Sequence, residues 1–411
     1  VADKYMFSFN NGIYRMDQNQ FYNWNNRQGW HQQAKKLNEV RQNKGLGAST
    51  VFIEASPPNR KDVSVNYFDT DFPEEYITRG IDVPTPEMDR VFNTQQLDER
   101  TQEWIWAFLG RLYYPIGTHE GWQRLLMFKG IAGSGKSTAC NLVRYSLPAY
   151  DVSLVGHEDK FMLQALVKTR VWICSEVRKD SPKFFKEMQG DFQSMVTGES
   201  VSVAFKNAQA QTVLWTSQGL LAGNQTPDVV DAGGSINRRM FMIEFNHMVP
   251  TEDLDPKLFE HMKKGIGAFL LKANSWYLTK AHYYGHKDLQ SPNILPGQIL
   301  EFQKNLIFAV DALASFVHDR DAEGLVSYKD INRDQNEVYI KYAEFVSRYK
   351  TYRENNGYGA IRMDDDHCIR VFSMYNLKVI KDIRDYGDQS NVKAKWLTGI
   401  GFKDYYDDSM D

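Results

Sequence analysis

Apolar residues recur along this chain in two rhythms. Between residues 98 and 112, Trp104, Ile105, Phe108 and Leu112 return at helical spacing, and Asp98 and Glu99 stand where a helix start favours acids. Between residues 120 and 250 the pattern changes to short unbroken apolar runs, at 125–128, 171–174, 213–216 and 240–245. Runs of that kind fit strands covered on both faces, so the expected class is α/β with a mostly parallel central sheet and helices around it. Residues 1–84 are aromatic and rich in Asn and Gln. There Met6-Phe7-Ser8-Phe9 runs into the turn signal Asn10-Asn11-Gly12, which reads as strands and loops around a small core. Residues 254–282 read as helical, and 285–297, with two prolines, as a linker. The last block reads as a helix over 299–317 and another over 337–354 bearing Tyr339, Tyr342, Phe345 and Tyr349. A third helix and a hairpin near 378–402 complete the order of a small winged-helix-like module. The expected domains are therefore a small mixed N-terminal domain over 1–84, the α/β core over 85–285, and a helical, winged-helix-like domain over 286–411.

Composition narrows the class. A length of 411 residues, 42% apolar and 25% charged, is ordinary for two or three globular domains. No apolar run reaches the roughly 18 residues of a membrane span, so no membrane partner is expected. The net charge of −3 leaves no basic field over the whole protein, and any nucleic-acid contact has to be local. Cys140, Cys174 and Cys368 are too scattered for a disulfide framework or a zinc site, which points to a reducing, intracellular compartment. The N-terminus has neither a signal-peptide core nor an initiator Met, so the chain is expected to be part of a longer protein.

The strongest chemical signal is Gly130-Ile131-Ala132-Gly133-Ser134-Gly135-Lys136-Ser137-Thr138. It fits G-x-x-x-x-G-K-[ST] between an expected strand and an expected helix. Glycines let successive backbone N–H groups wrap a phosphate, and the helix start adds partial positive charge. The expected nucleotide is ATP with Mg²⁺. Gly130, Ala132, Gly133, Ser134, Gly135, Lys136, Ser137 and Thr138 would form the cradle. Lys136 would reach the β- and γ-phosphates and Ser137 would ligate the metal.

Hydrolysis also needs a carboxylate near the γ-phosphate, at the end of a neighbouring strand. Val171-Trp172-Ile173-Cys174 is followed by Ser175-Glu176, which makes Glu176 the expected catalytic acid and a contributor to the metal site. Asp180 is next in line. Ser175 stands where many such motifs carry a first acid. The run 213–216 leads into Ser217-Gln218, so Gln218 is expected to sense the γ-phosphate or hold water. Asn237-Arg238-Arg239 precedes the run 240–245, and an arginine there is expected to stabilise transition-state charge across a subunit boundary. Arg239 is the first choice and Arg238 the second.

Together these motifs resemble a superfamily 3 helicase, a compact AAA+-type P-loop ATPase. Within it the chain is most similar to the poxvirus-type NTPase/primase–helicases of large DNA viruses and some phages. Lys136 to Glu176 is 40 positions, Glu176 to Gln218 is 42, and Gln218 to Arg239 is 21, the compact layout of that superfamily. Residues 197–207 are similar to its extra motif, a hairpin that projects into a ring channel and grips DNA. Lys206 occupies the tip-lysine position, with Phe205 and Asn207 beside it. Phe9-Asn10-Asn11-Gly12 and Glu75-Tyr76-Ile77-Thr78-Arg79-Gly80-Ile81 resemble the domain ahead of the ATPase in the viral enzymes. Gln218 departs from the Asn usual in the family. The resemblance implies an ATP-driven replicative helicase, a hexameric ring, single-stranded and forked DNA as partners, and 3′-to-5′ movement. It also implies an upstream primase domain or other replication proteins. If the protein is viral, its location would be the host-cell cytoplasm or nucleus.

Two other functions stay open on the residues alone. A P-loop kinase for a small molecule would need a mobile lid with acceptor-binding residues. A nucleotide-gated DNA-binding scaffold would bind ATP and scarcely hydrolyse it, and Ser175 leaves room for that. Weaker signals read as ordinary structure. Residues 19–27 mix aromatic and polar groups as a local core with a polar face does. Asp364-Asp365-Asp366-His367-Cys368 is sequential rather than convergent and reads as a solvated helix start, and the acidic residues 407–411 read as solvated.

Overall fold

A computed structural model of the chain describes residues 3–23, 52–55, 60–155, 162–178, 188–226, 237–289, 291, 293–320, 324–356, 365–383 and 394–406. Asp180, Asp364, residues 24–27 of the mixed segment 19–27 and the acidic residues 407–411 lie outside them. The chain divides into two compact units, one of residues 1–228 and 238–303, the other of 229–237 and 304–411.

The first unit begins with a five-stranded sheet of β1 (Asp3–Ser8), β2 (Gly12–Arg15), β3 (Gln20–Asn23), β4 (Phe52–Ala55) and β5 (Arg60–Tyr67), in the order β3-β2-β1-β5-β4. The turn expected at Asn10-Asn11-Gly12 joins β1 to β2, and the Asn11 side chain bonds both backbone groups of Phe72 at 2.7 and 2.8 Å. Tyr14 and Phe21 each stack on Phe72 with ring centres 4.6 Å apart, so Phe21 is packed rather than offered to a base. The expected boundary at 84/85 falls inside this unit. Buried Asn274 donates to the Tyr14 hydroxyl at 2.8 Å and to the Met16 carbonyl at 2.9 Å, and accepts from the Tyr114 hydroxyl at 2.7 Å. Leaving one such group buried and unpartnered costs about 1–3 kcal/mol, so this network fixes the small sheet in place.

Helices α1 (Pro86–Thr94) and α2 (Glu99–Arg111) follow. Asp98 caps α2 by accepting from the Thr101 N–H at 2.7 Å, as the acidic start suggested. Then come β6 (Leu125–Gly130), α3 (Lys136–Ser146), β7 (Val152–Leu154), α4 (Met162–Leu166), β8 (Val171–Val177), α5 (Gln189–Thr197), β9 (Ser200–Val203), β10 (Gln211–Leu214), β11 (Gln218–Gly223) and β12 (Met240–Phe245). Five of these strands form a wholly parallel sheet in the order β12-β6-β11-β8-β7. Every residue of β11 and β12 is buried, as expected for parallel strands covered on both faces. Phe241 on β12 stacks on Phe108 of α2 at 3.9 Å.

The run 213–216 is not a strand of this sheet. Val213 and Leu214 belong to β10, which pairs antiparallel with β9 in a separate two-stranded ribbon, and Leu214 is exposed. The fourth core strand is β11, which begins at Gln218. Its sequence, Gln-Gly-Leu-Leu-Ala-Gly, hides its character because both glycines admit close neighbours. A Cβ at Gly223 would meet the Val177 carbonyl at 2.4 Å.

The helical stretch after β12 is two helices, α6 (Leu258–Lys264) and α7 (Ile266–Tyr284), with Gly265 between them. The helix expected over 299–317 is also broken, into α8 (Gly297–Val310) and α9 (Ala312–His318), because Asp311 takes up extended backbone and caps the second through the Leu313 and Ala314 N–H groups. Among the described residues no helix is long and apolar enough to cross a membrane.

In the second unit, α9 is followed by β13 (Leu325–Ser327), β14 (Tyr339–Lys341), α10 (Tyr342–Asn355), α11 (Asp365–Met374), β15 (Lys378–Ile383), β16 (Ala394–Thr398) and β17 (Ile400–Phe402). Tyr339 therefore lies on a strand, not on the helix expected to carry it. Phe316, Phe345, Tyr349, Tyr352 and Phe372 fill the core between the three helices, and β15–β16 is the expected hairpin.

Candidate active site

The C-terminal ends of parallel strands open a crevice where ligands of α/β proteins bind. Here the phosphate loop leaves β6 at that edge. Its start is fixed by β12: the Ile131 N–H donates to the Phe245 carbonyl at 3.1 Å, and a Cβ on Gly130 would meet that oxygen at 1.9 Å. Gly130 is thus a packing position under the loop. Ala132, Gly133, Ser134, Gly135, Lys136, Ser137 and Thr138 line a cleft of about 770 Å³. Gly133 and Gly135 have φ of +74° and +95°, which side chains with a Cβ rarely adopt. α3 starts at Lys136 with no side-chain cap and no acid in its first turn, so its positive dipole end meets no carboxylate of its own there.

Lys136 is buried against its own loop. Its Nζ donates to the Gly130 carbonyl at 2.9 Å, to Ser134 Oγ at 3.1 Å and to the Ile131 carbonyl. Burial lowers its pKa from the usual lysine value. The amine thereby holds the loop in an open arc, with its charge only partly compensated.

The acid strand, β8, runs on through Ser175 and Glu176 to Val177. Both Ser175 and Glu176 are exposed and line the cleft, although they lie within the strand rather than after it. Glu176 pairs with Arg178 at 3.0 Å, both more than half exposed. Such a pair is worth at most about 1 kcal/mol and gives way easily to a stronger partner.

Because β11 stands between β6 and β8, its C-terminal end lies between the phosphate loop and the acid. The residues there are Gly223, Asn224 and Gln225, and all three line the cleft. Gln218 is at the other end of the same strand. It pairs in register with Val171, is buried, and donates from Nε2 to the Tyr114 carbonyl at 3.1 Å. Gln218 therefore lies away from the phosphate loop, and the amides at the cleft end of β11 are Asn224 and Gln225, of which Asn224 follows the strand directly. The apparent register misled because 213–216 imitates a core strand. The signal for Asn224 was the short apolar stretch 219–223 directly before it.

A further residue without a sequence signature is Gln95, just past α1. Its amide bridges the Ser134 carbonyl and the backbone of His247 beyond β12. From α1 itself Arg90, Val91 and Thr94 reach the cleft, and Leu254, Leu258 and Phe259 give it an apolar end.

The two arginines precede β12, at the sheet edge opposite the phosphate loop. Arg239 is only 7% exposed, whereas Arg238 is exposed and lines a second cleft of about 400 Å³ with Arg124, His286, Lys287 and Asp288. Of the two, Arg238 is therefore the one whose side chain meets solvent.

The expected hairpin is present. Val203 pairs with Gln211 and Ser200 with Leu214, and residues 204–210 form the tip. Phe205 accepts from the Ala208 N–H at 3.3 Å across a tight turn with Lys206 and Asn207 at its corner. Asn207 has φ +59°, at the third turn position where Asn is tolerated. Lys206 and Asn207 are exposed and Phe205 half-buried.

Cys140, Cys174 and Cys368 are free and buried. Among the described residues no three His, Cys, Asp or Glu side chains gather as a metal cage.

A family described as "Family of unknown function (DUF5906)" matches residues 128–239, from the last turns of β6 through the acid strand, ribbon and β11 to Arg239. No curated protein matches the chain. Among solved structures, the apo structure of the NrS-1 C terminal region (305-718) is similar at 13% identity and a TM-score of 0.45, covering 96% of each chain. The A form apo structure of the NrS-1 C terminal region is similar at 13% identity and a TM-score of 0.43, covering 95% of each chain.

Proposed function

We propose that the chain is an ATP-dependent DNA helicase of the superfamily 3 type, acting as a ring in DNA replication. The observation that carries this reading is the meeting of phosphate loop, Glu176 and Asn224 in one cleft, with an exposed lysine-tipped hairpin elsewhere in the same unit. The kinase reading leaves that hairpin unexplained.

The cleft suits a nucleoside triphosphate. Its phosphates would take the loop N–H groups and the dipole of α3, and Lys136 would exchange its carbonyl partners for β- and γ-oxygens. That exchange is favourable because an amine to anionic oxygen bond is stronger than one to a neutral carbonyl. Glu176 would leave Arg178 and orient the attacking water, and Asn224 would hold the γ-phosphate or that water. The donor set fits Mg²⁺, which keeps several waters and needs few protein ligands: the Ser137 hydroxyl would bind it, with Glu176 reached through water. When bound, the ion neutralises charge on the phosphates. The hairpin would meet one DNA strand through Lys206, Phe205 and Asn207, and Arg238 would serve the neighbouring subunit's nucleotide.

Steady-state phosphate release with and without single-stranded DNA tests the reading. The helicase predicts turnover that DNA stimulates and forked duplex that is unwound. Turnover that needs a small-molecule acceptor would support a kinase, and tight ATP binding with no turnover would support a scaffold.

A further inference from the structure

The hairpin tip is not free-standing. The Lys206 N–H donates to Oε1 of Gln164, on α4, at 2.8 Å. Nζ of Lys168, two residues past that helix, lies 5.7 Å from the centre of the Phe205 ring. Gln164 and Lys168 belong to the segment that leads into β8, which is remote in sequence from the hairpin. Lys168 and Lys206 are both exposed, and among the described residues neither pairs with a carboxylate. The Lys168 ammonium thus stands at the ring of the residue that precedes exposed Lys206, on a protein whose net charge is −3.

A lysine placed as Lys168 is keeps its charge available, because an aromatic face attracts an ammonium without neutralising it. A half-buried ring beside these lysines offers a stacking surface, and phosphate contacts flanking an aromatic platform are the ordinary chemistry of single-strand binding. The Gln164 bond orders the turn before any ligand arrives, so less freedom is lost on binding.

We propose that Lys168 is a second contact to the phosphate backbone of a single strand, acting beside Lys206, and that Gln164 is the positioning residue that presents the turn. This rests on the reading of the hairpin as the strand-contacting element.

The test is fluorescence anisotropy of a labelled oligothymidylate with the whole chain across a salt series. The variants are Lys168→Ala, Lys168→Gln, Lys168→Arg, Gln164→Ala and Lys206→Ala, each checked for a parental thermal melt. Lys168→Ala and Lys168→Gln should weaken binding several-fold and flatten the slope of log K against log salt by about 0.7, the value for one single-strand phosphate contact. Lys168→Arg should bind as the parent does. Gln164→Ala should weaken binding and leave the slope unchanged. Parental affinity and slope in Lys168→Ala, with both lost in Lys206→Ala, would overturn the proposal and leave the hairpin reading intact. Weaker binding at an unchanged slope would make Lys168 a prop for Phe205, which also overturns it. If the parent binds no strand, or Lys206→Ala binds as tightly as the parent, the hairpin reading fails and the proposal with it.

Discussion

The side chain of Gln95 donates to the Ser134 carbonyl at 3.0 Å and to the His247 carbonyl at 2.7 Å, and accepts from the His247 N–H at 2.9 Å. One buried amide therefore ties the phosphate loop to the strand end beyond β12. Gln95→Ala should lower stability by about 1–3 kcal/mol, the cost of unpartnered buried groups. It should also weaken ATP binding by roughly tenfold, since a loop held less rigidly loses about 1.4 kcal/mol of preorganisation. Calorimetric titration with ATP alongside thermal denaturation checks both.

Asn224 and Gln218 sit at opposite ends of β11, and their substitutions should separate cleanly. Asn224→Ala should keep nucleotide affinity and lower turnover by about 10²-fold, the scale for losing one positioned polar group at a reacting centre. Gln218→Ala should leave turnover of the folded protein near parental and cost about 1–3 kcal/mol of stability, because the Tyr114 carbonyl loses its buried donor. Paired kinetic and unfolding measurements decide the assignment.

Arg238, exposed at the start of β12, is expected to act on a neighbour's nucleotide. Arg238→Ala should lower turnover by about 10³-fold or more. Mixing it with Glu176→Gln subunits should restore part of the activity, since each supplies what the other lacks. Mixtures no more active than either parent would place the arginine's role within its own subunit. Arg239→Ala, at a buried position, should instead lower the melting temperature.

Burial pushes the Cys140 thiol up to about 12 and the Cys174 thiol up to about 11. Unfolded thiols ionise near about 8.5. Both groups therefore contribute stability in full below that value, and the contribution is lost as pH rises through the raised values. Near pH 8 a thiol reagent should leave both unmodified in the native chain and react with them on unfolding. The Cys140→Ala variant should lose less stability than the parent between pH 8 and pH 11. Rapid native modification would contradict the burial.

The sequence made the parallel sheet, the phosphate loop and its helix, the acid strand and the hairpin legible because each has a local signature. Apolar runs, glycines at fixed offsets and strand alternation on both sides of 204–210 need no tertiary information. The misreadings have physical causes. Val213 and Leu214 look like core but lie on an exposed ribbon, which displaced the fourth core strand by one element and exchanged Gln218 for Asn224. Asp311 breaks a helix whose apolar spacing runs straight through it. Arg238 and Arg239 are equivalent in sequence, and only the fold decides which is buried. Gln95 and Gln164 act through long-range bonds that no local pattern announces.

The proposed role of Glu176, to orient the attacking water, is tested directly by Glu176→Gln. The amide keeps the shape of the side chain and removes its basicity and charge. Phosphate release and the binding of a fluorescent ATP analogue should be measured on the same preparation. Nucleotide affinity should stay within about threefold of the parent and turnover should fall by at least about 10²-fold. Turnover near the parental rate would contradict that role.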